Sequence, residues 1–331
     1  MRARLLLGGI ALLSLPGALA EAQKTVYELA GTLTSNEPRP FRDGLPRLSL
    51  HSMNSPFASR ATADMKGKFK FKKLPPGTYV VMVSVPRSRP LRKTVEVGPS
   101  FADSKGRVAT TIPYERKRVP GRTYAVSTAQ LAIPDSARLE FMKGQEYLAK
   151  RDVRRARAAF QNAVEMAPQF AGAWNSLGRI ALQSAQYEEA ANAFREALKQ
   201  NPAYYGALVN LGGALLAHGK LEEALAVNQR AARARPEDPL AQTQLGHSYF
   251  FLGRLEEAEK CLKEAEKIEP EHFAFPQLLL AEIYIQRQDL SAAVRELEDF
   301  LRRHPDSTPA PEARKALEMA RQQMAAQKPG S

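Results

Sequence analysis

The 331-residue sequence predicts a multidomain β + α chain: an antiparallel β-sandwich followed by an all-α solenoid of five helix pairs and a capping helix. Three observations carry this. Prolines fall at 168, 202, 236, 270 and 305, at intervals of 34, 34, 34 and 35 residues. Short β-rich runs separated by turn residues fill the stretch from 24 to 114. The charge divides with them: residues 21–135 carry 20 Lys and Arg against 9 Asp and Glu, whereas residues 136–331 carry 26 of each.

The first twenty residues stand apart. Arg2 and Arg4 precede an apolar run from Leu5 to Leu15, and Ala18-Leu19-Ala20 supplies the small-x-small pattern of a cleavage site. This is the plan of a secretory signal peptide, so the expectation is export, to the periplasm or beyond, after cleavage near Ala20. No cysteine follows that site to carry lipid, no later stretch is apolar enough to span a bilayer, and the tail 325–331 is polar and expected to be disordered. The mature chain is therefore expected to lack a transmembrane segment. The single cysteine, Cys261, cannot pair within its own chain. Without a flanking basic cluster it reads as a small apolar residue on a helix.

In residues 21–114 six runs read as strands: Thr25–Thr34, Arg47–Met53, Lys68–Lys72, Thr78–Val85, Lys93–Val97 and Val108–Tyr114. Gly67-Lys68-Phe69-Lys70-Phe71-Lys72 alternates with period two, which turns Phe69 and Phe71 inward and the lysines to water. Leu74-Pro75-Pro76-Gly77-Thr78-Tyr79 then turns into a strand with Tyr79, Val81, Val83 and Val85 on one face. The pattern Gly-x-Phe-x-Phe-x-x-Leu-Pro-x-Gly-x-Tyr resembles the carboxypeptidase-regulatory-like domain, which implies a transthyretin-like sandwich of the carbohydrate-binding-like class. Lys68, Lys70 and Lys72 with Arg89 and Arg92 make a basic surface. It either attracts an anionic envelope glycan or lipid surface or is a solvated face. Nucleic acid is not expected, because no aromatic residues interleave with the basic ones.

Residues 115–135 read as a basic, proline-bearing linker containing the apolar Tyr124–Val126. From 136 to 307 the period of 34 defines units 137–170, 171–204, 205–238, 239–272 and 273–307. Trp174, Leu177, Gly178, Ala190, Phe194, Ala197 and Pro202 stand at signature spacing, and Gly144, Gly212 and Gly246 recur in register with Gly178. This set resembles the tetratricopeptide repeat (TPR), with one extra residue near Phe275-Pro276. Gly178, Gly212 and Gly246 are expected where the two helices of a unit cross, facing Ala190, Ala224 and Ala258. Gly219 and Gly253 are expected to end first helices in the left-handed conformation. A final helix within 308–324 should cover the last unit.

The resemblance implies a concave surface lined by first helices, with Asn175, Arg179, Asn210, Gln244, His247, Phe250 and Phe251 pointing inward. Phe250 and Phe251 either line that surface or pack on the neighbouring repeat. The set suits a protein or peptide partner and lacks the basic residues of a carboxylate clamp. None of the five histidines is followed by Glu three residues later, and the chain has no HExxH helix, no Gly-x-Ser-x-Gly elbow and no phosphate-cradling loop. Glu188-Glu189, Glu222-Glu223 and Glu256-Glu257 recur at one repeat position, which marks helix starts. The expectation is a non-enzymatic adaptor, without cofactor or metal, of the bacterial exported type; the alternative is a surface-ligand module whose basic sandwich binds an anionic glycan or membrane surface, with the repeats as spacer.

Overall fold

The computed structural model describes residues 26–35, 37, 41, 44–53, 58–85, 91–114 and 132–327. The expected signal peptide, Arg89, and Tyr124–Val126 lie outside the described residues. Two compact units divide the described chain, one ending at Gln183 and one starting at Ser184.

The first unit opens with seven strands: β1 (Tyr27–Thr34), β2 (Arg47–Ser52), β3 (Ala58–Thr62), β4 (Lys68–Leu74), β5 (Gly77–Ser84), β6 (Leu91–Val97) and β7 (Arg107–Pro113). They form a three-stranded sheet in the order β4-β1-β7 and a four-stranded sheet in the order β3-β2-β5-β6. One apolar core joins the two, with Leu29, Leu50, Leu74, Tyr79, Val81 and Ile112 all but fully buried. The period-two reading of β4 holds: Phe69 and Phe71 are buried and Lys68, Lys70 and Lys72 are exposed. Two expectations need correction. β3 is a seventh strand that the sequence did not announce, since Ala58-Ser59-Arg60-Ala61-Thr62 offers little β-branched or aromatic character. The sandwich is also not wholly antiparallel, because β1 pairs with β7 in parallel, Glu28 beside Arg107 through Thr34 beside Pro113. A first and a last strand need no hairpin between them, so their relative direction is free.

Two turns of the same design lead into the strands that flank β1. In Asp64-Met65-Lys66-Gly67-Lys68, the Asp64 carboxylate accepts from the N–H groups of Lys66 and Lys68, both at 2.8 Å. In Asp103-Ser104-Lys105-Gly106-Arg107, Asp103 accepts from Lys105 and Arg107 at 2.9 Å. Gly67 and Gly106 have φ of +76° and +71°, which glycine adopts at no steric cost.

The same unit holds α1 (Asp135–Ala149), α2 (Val153–Met166) and α3 (Ala171–Gln183). The second holds α4 (Tyr187–Gln200), α5 (Tyr205–Ala217), α6 (Leu221–Ala234), α7 (Pro239–Phe251), α8 (Leu255–Ile268), α9 (Pro276–Gln286), α10 (Leu290–Arg303) and α11 (Ala310–Gln327). Within each unit every helix packs on the next in sequence, the nearest-neighbour arrangement of a repeat array.

Three periodic devices shape the repeats. Each second helix ends two residues before its proline, at Met166, Gln200, Ala234, Ile268 and Arg303, because proline has no N–H to continue the ladder. Most of the freed proline carbonyls then accept from a side chain of the following helix. Pro168 accepts from Trp174 Nε1 at 2.8 Å, Pro236 from Gln242 at 3.0 Å and Pro270 from Gln277 at 2.7 Å. The signature tryptophan is thus one of several donors able to do the same task. Third, a left-handed residue follows each first helix: Arg151 (φ 61°), Ala185 (57°), Gly219 (77°), Gly253 (73°) and Gln288 (62°). Only two of these five positions use glycine.

The helix-crossing glycines also work differently from expectation. A Cβ on Gly246 would lie 2.8 Å from Leu262, and one on Gly144 2.6 Å from the Phe160 ring. The nearest partner is therefore a large side chain on the second helix, with the carbonyl oxygen of the expected Ala258 next, at 3.3 Å. At Gly212 the partner is the fully buried Asn228, whose Nδ2 donates to Ser248 Oγ at 2.9 Å and to the Gln244 carbonyl at 3.3 Å. The extra residue of the fifth repeat is absorbed at Phe275, a left-handed residue (φ 47°) whose ring packs 5.3 Å from Phe300 and 4.9 Å from His304.

Candidate functional site

In the second unit the expected site residues concentrate on α7. Asp238 caps this helix, accepting from Leu240 N at 3.0 Å, while its other oxygen takes the Tyr205 hydroxyl at 2.8 Å. Pro239 occupies the first turn, where no N–H is needed. Gly246 brings the helix against α8, and this fixes the ends of its side chains.

At the C-terminal end His247, Phe250 and Phe251 form one cluster. The Phe250 and Phe251 rings meet edge to face at 5.5 Å, and the His247 ring lies 6.3 Å from Phe251. The three differ in role. Phe250 packs partly against the core made by Leu280, Ile283 and Tyr284 of α9. His247 is only 5% exposed, and Phe251 is 51% exposed. His247 Nδ1 lies 2.8 Å from the Thr243 carbonyl. A carbonyl only accepts, so the ring carries its proton on Nδ1 and offers Nε2 as an acceptor. Burial, partly offset by that hydrogen bond, holds its pKa down to about 4, so the ring is neutral at physiological pH. Among the described residues the cluster combines an exposed aromatic ring with a buried, neutral imidazole.

Gln244 lies one turn before this cluster. Its Nε2 would be 2.8 Å from a Cβ on Gly213, so the glycine makes room for it. Asn210 sits half-buried on α5.

Asn175 and Arg179 belong to the first unit, where the structure gives them a setting the sequence did not reveal. Asn175 is buried on α3. The charge of Arg179, on α3, acts on His51 of β2. Burial first, then the charges of Arg179, Arg60 and Arg92, hold His51 down to about 3. Arg60 also donates to Gln145 of α1, and β3 packs against that helix. Thus the charges of one site residue expected from the repeats, Arg179, and one from the basic surface, Arg92, both act on a single histidine of the four-stranded sheet. The signal lay in the pairing register, which sets Arg60 beside Ser49 and Arg92 beside Met82, on the same face as His51.

A charged network joins α8 to α9. Glu259 accepts from Lys263 at 2.7 Å and from the Tyr284 hydroxyl at 2.9 Å, and pairs with Arg287. Burial raises the Glu259 pKa, but these hydrogen bonds outweigh it and hold the carboxyl at about 2. Nearby, burial and then repulsion from Glu266 and Asp299 push Glu296 up to about 7. Burial likewise lifts the Cys261 thiol to about 11, so it stays protonated and packs as an apolar residue. Among the described residues no group of three His, Cys, Asp or Glu could hold a metal ion. None of the described helices is long and apolar enough to cross a membrane.

Tetratricopeptide-repeat family models match residues 141–184 and 177–239, residues 240–272 and residues 277–307. No curated protein matches the sequence. Among solved structures, a thermophilic TPR protein of Thermus thermophilus is 25% identical, with a TM-score of 0.45 over 56% of this chain and 99% of its own. YrrB, described as a TPR protein with an unusual peptide-binding site, is 23% identical, with a TM-score of 0.45 over 53% and 90%. A tetratricopeptide repeat protein from Parabacteroides merdae is 19% identical, with a TM-score of 0.49 over 58% and 76%. Together with the 34-residue devices described above, the family matches establish that the helix pairs between residues 141 and 307 are tetratricopeptide repeats.

Proposed function

We propose that the chain is a non-catalytic, exported adaptor that binds a protein or peptide partner on its repeats, with the aromatic end of α7 as the contact. Repeats of this family generally mediate protein–protein interaction. The observation that carries the reading is Phe251, a large aromatic residue left 51% exposed beside half-buried Phe250. An exposed ring backed by a packed one is the arrangement of an interface anchor. His247 adds a fixed acceptor beside it, and Asn210 and Gln244 supply further polar groups. Asn175 and Arg179 lie in the first unit instead, where the charge of Arg179 acts on His51.

Export rests on Arg2, Arg4, the apolar run to Leu15 and the small residues at 18–20. On the residues that resemble it, the N-terminal region is a carboxypeptidase-regulatory-like module that accompanies the adaptor. A photo-crosslinking residue placed at 251, with Met319 (also exposed, at 47%) as control site, tests the contact in the envelope of the source cell. The reading requires a discrete adduct at 251 that is absent at 319. Identical adduct patterns at both positions would refute it.

A further inference from the structure

The unclaimed feature is the free edge of the three-stranded sheet. Among the described residues β4 pairs with one strand, β1. Leu33 N donates to Gly67 O at 2.9 Å, so Gly67, Phe69 and Phe71 turn their peptide groups toward β1. By alternation Lys68, Lys70 and Lys72 turn theirs to the open edge. Lys68 confirms this, because its N–H and C=O are both taken by Asp64 on that side. The edge is bounded at the other end by Lys73, a left-handed residue (φ 55°) where the β1–β4 register shifts. Between these limits the outward peptide groups are those of Lys70 and Lys72.

The side chains add the selectivity. Lys68, Lys70 and Lys72 are exposed on one face and, among the described residues, make no ion pair. Beside them lies an open hollow of about 850 Å³ floored by the small residues Ala30, Thr32, Ala109 and Thr111. Of the nearby acids, Asp64 is committed to its turn and Glu28 sits beside Arg107. Alternate residues on a strand recur at roughly 6.8 Å, the repeat of acidic side chains in an extended peptide that alternates acid with another residue. Acids so placed stand directly opposite the lysines, the favourable cross-strand pair. The same lysines repel a second copy of this edge, which guards against self-pairing while leaving an acidic strand admissible.

We infer that the β4 edge is a docking site for an extended acidic peptide, which adds as a strand beside Lys70 and Lys72 with its carboxylates facing Lys68, Lys70 and Lys72. This site is separate from the α7 cluster and does not depend on it.

Fluorescence anisotropy of the full chain with a labelled Thr-Glu-Val-Glu-Val-Glu-Thr peptide tests it. Three comparisons accompany the measurement: a peptide of the same composition with its acids in one block, an alternating peptide N-methylated at its central backbone amides, and polygalacturonate as competitor. The alternating peptide should bind at least tenfold more tightly than the block and N-methylated forms. The exposed double variant Lys70→Glu/Lys72→Glu should abolish this, and an alternating Lys-Val peptide should bind that variant instead. Equal binding of alternating, block and N-methylated peptides would reduce the site to diffuse charge and overturn the inference. Tighter binding of polygalacturonate, lost in the same variant, would overturn it in favour of an anionic glycan.

Discussion

In the two-sheet region Glu28 lies beside Arg107, a contact between the first strand and the last, whereas from α4 onward each helix packs on the helix that follows it. The first arrangement closes only when distant segments meet, and its core is a single body from Tyr27 to Tyr114. The second accumulates step by step, with separate apolar clusters around Leu208, Leu262 and Phe300. Charge follows the same division: the basic excess lies before residue 136, while the repeats balance theirs in local pairs such as Arg195 with Glu223 and Arg254 with Glu257. A single perturbation should therefore spread through the sheets and stay local in the repeats.

The largest test of that contrast is Gly31→Ala. The added methyl would lie 2.2 Å from Cζ of the buried Phe69, which packs on Phe71. Overpacking of this kind costs about 2 kcal/mol. Thermal unfolding should then show the β signal melting earlier by far-UV circular dichroism while the helical transition keeps its midpoint. A common shift of both would mean that the two regions unfold as one.

A smaller effect, local to α8 and α10, comes from Glu296. Its carboxyl faces Glu266 and Asp299 against Lys263 and Arg295, and its pKa is raised to about 7. A carboxyl raised above its unfolded value holds its proton in the folded state, so its contribution is full below the unfolded pKa, near 4.5, and is lost as pH rises through 7. Glu296→Gln should therefore raise the melting temperature at pH 8 and leave it unchanged at pH 4. A gain of equal size at both would show that the carboxyl is not perturbed. Glu259 runs the other way, contributing above pH 4.5 and losing its contribution as pH falls toward 2.

The smallest effect concerns the left-handed residue after each first helix. Gly219 and Gly253 have open space around an added Cβ, so substitution there reports backbone conformation alone. Gly219→Ala should lose about 1 kcal/mol, and Ala185→Gly should gain about 0.5 kcal/mol, the strain relieved being partly offset by glycine's freedom in the unfolded chain. Denaturant midpoints of the two variants moving in the same direction would break the equivalence of these positions.

The contrast also explains which parts were legible in the sequence. Repeats carry their rules locally, so the prolines and the pair Gly219 and Gly253 announced helix ends directly. The same rule in Ala185, Arg151 and Gln288 was invisible, because backbone conformation there is imposed by packing and not by residue type. Asn228 was missed for a related reason: an amide at a position held by Phe194 and Leu262 in neighbouring units looks like an exception until its bonds to Ser248 and Gln244 are seen. In the sheets, alternation exposed Phe69 and Phe71, but no local signal marks β3 or the parallel pairing of β1 with β7. Of the site residues, His247, Phe250 and Phe251 were readable as one group from their spacing on a helix. The division of labour among them was not, since burial of His247 and exposure of Phe251 depend on neighbouring helices. The joint effect of Arg179 and Arg92 on His51 was not readable, because it links a helix and a sheet far apart in sequence.

The central claim, that the aromatic end of α7 is the partner contact, is tested most directly by affinity. A random peptide library selected on the full chain should yield ligands whose Kd rises at least tenfold in Phe251→Ser, with the melting temperature unchanged because the ring is exposed. Selected peptides that bind the variant as tightly as the parent chain would contradict the account.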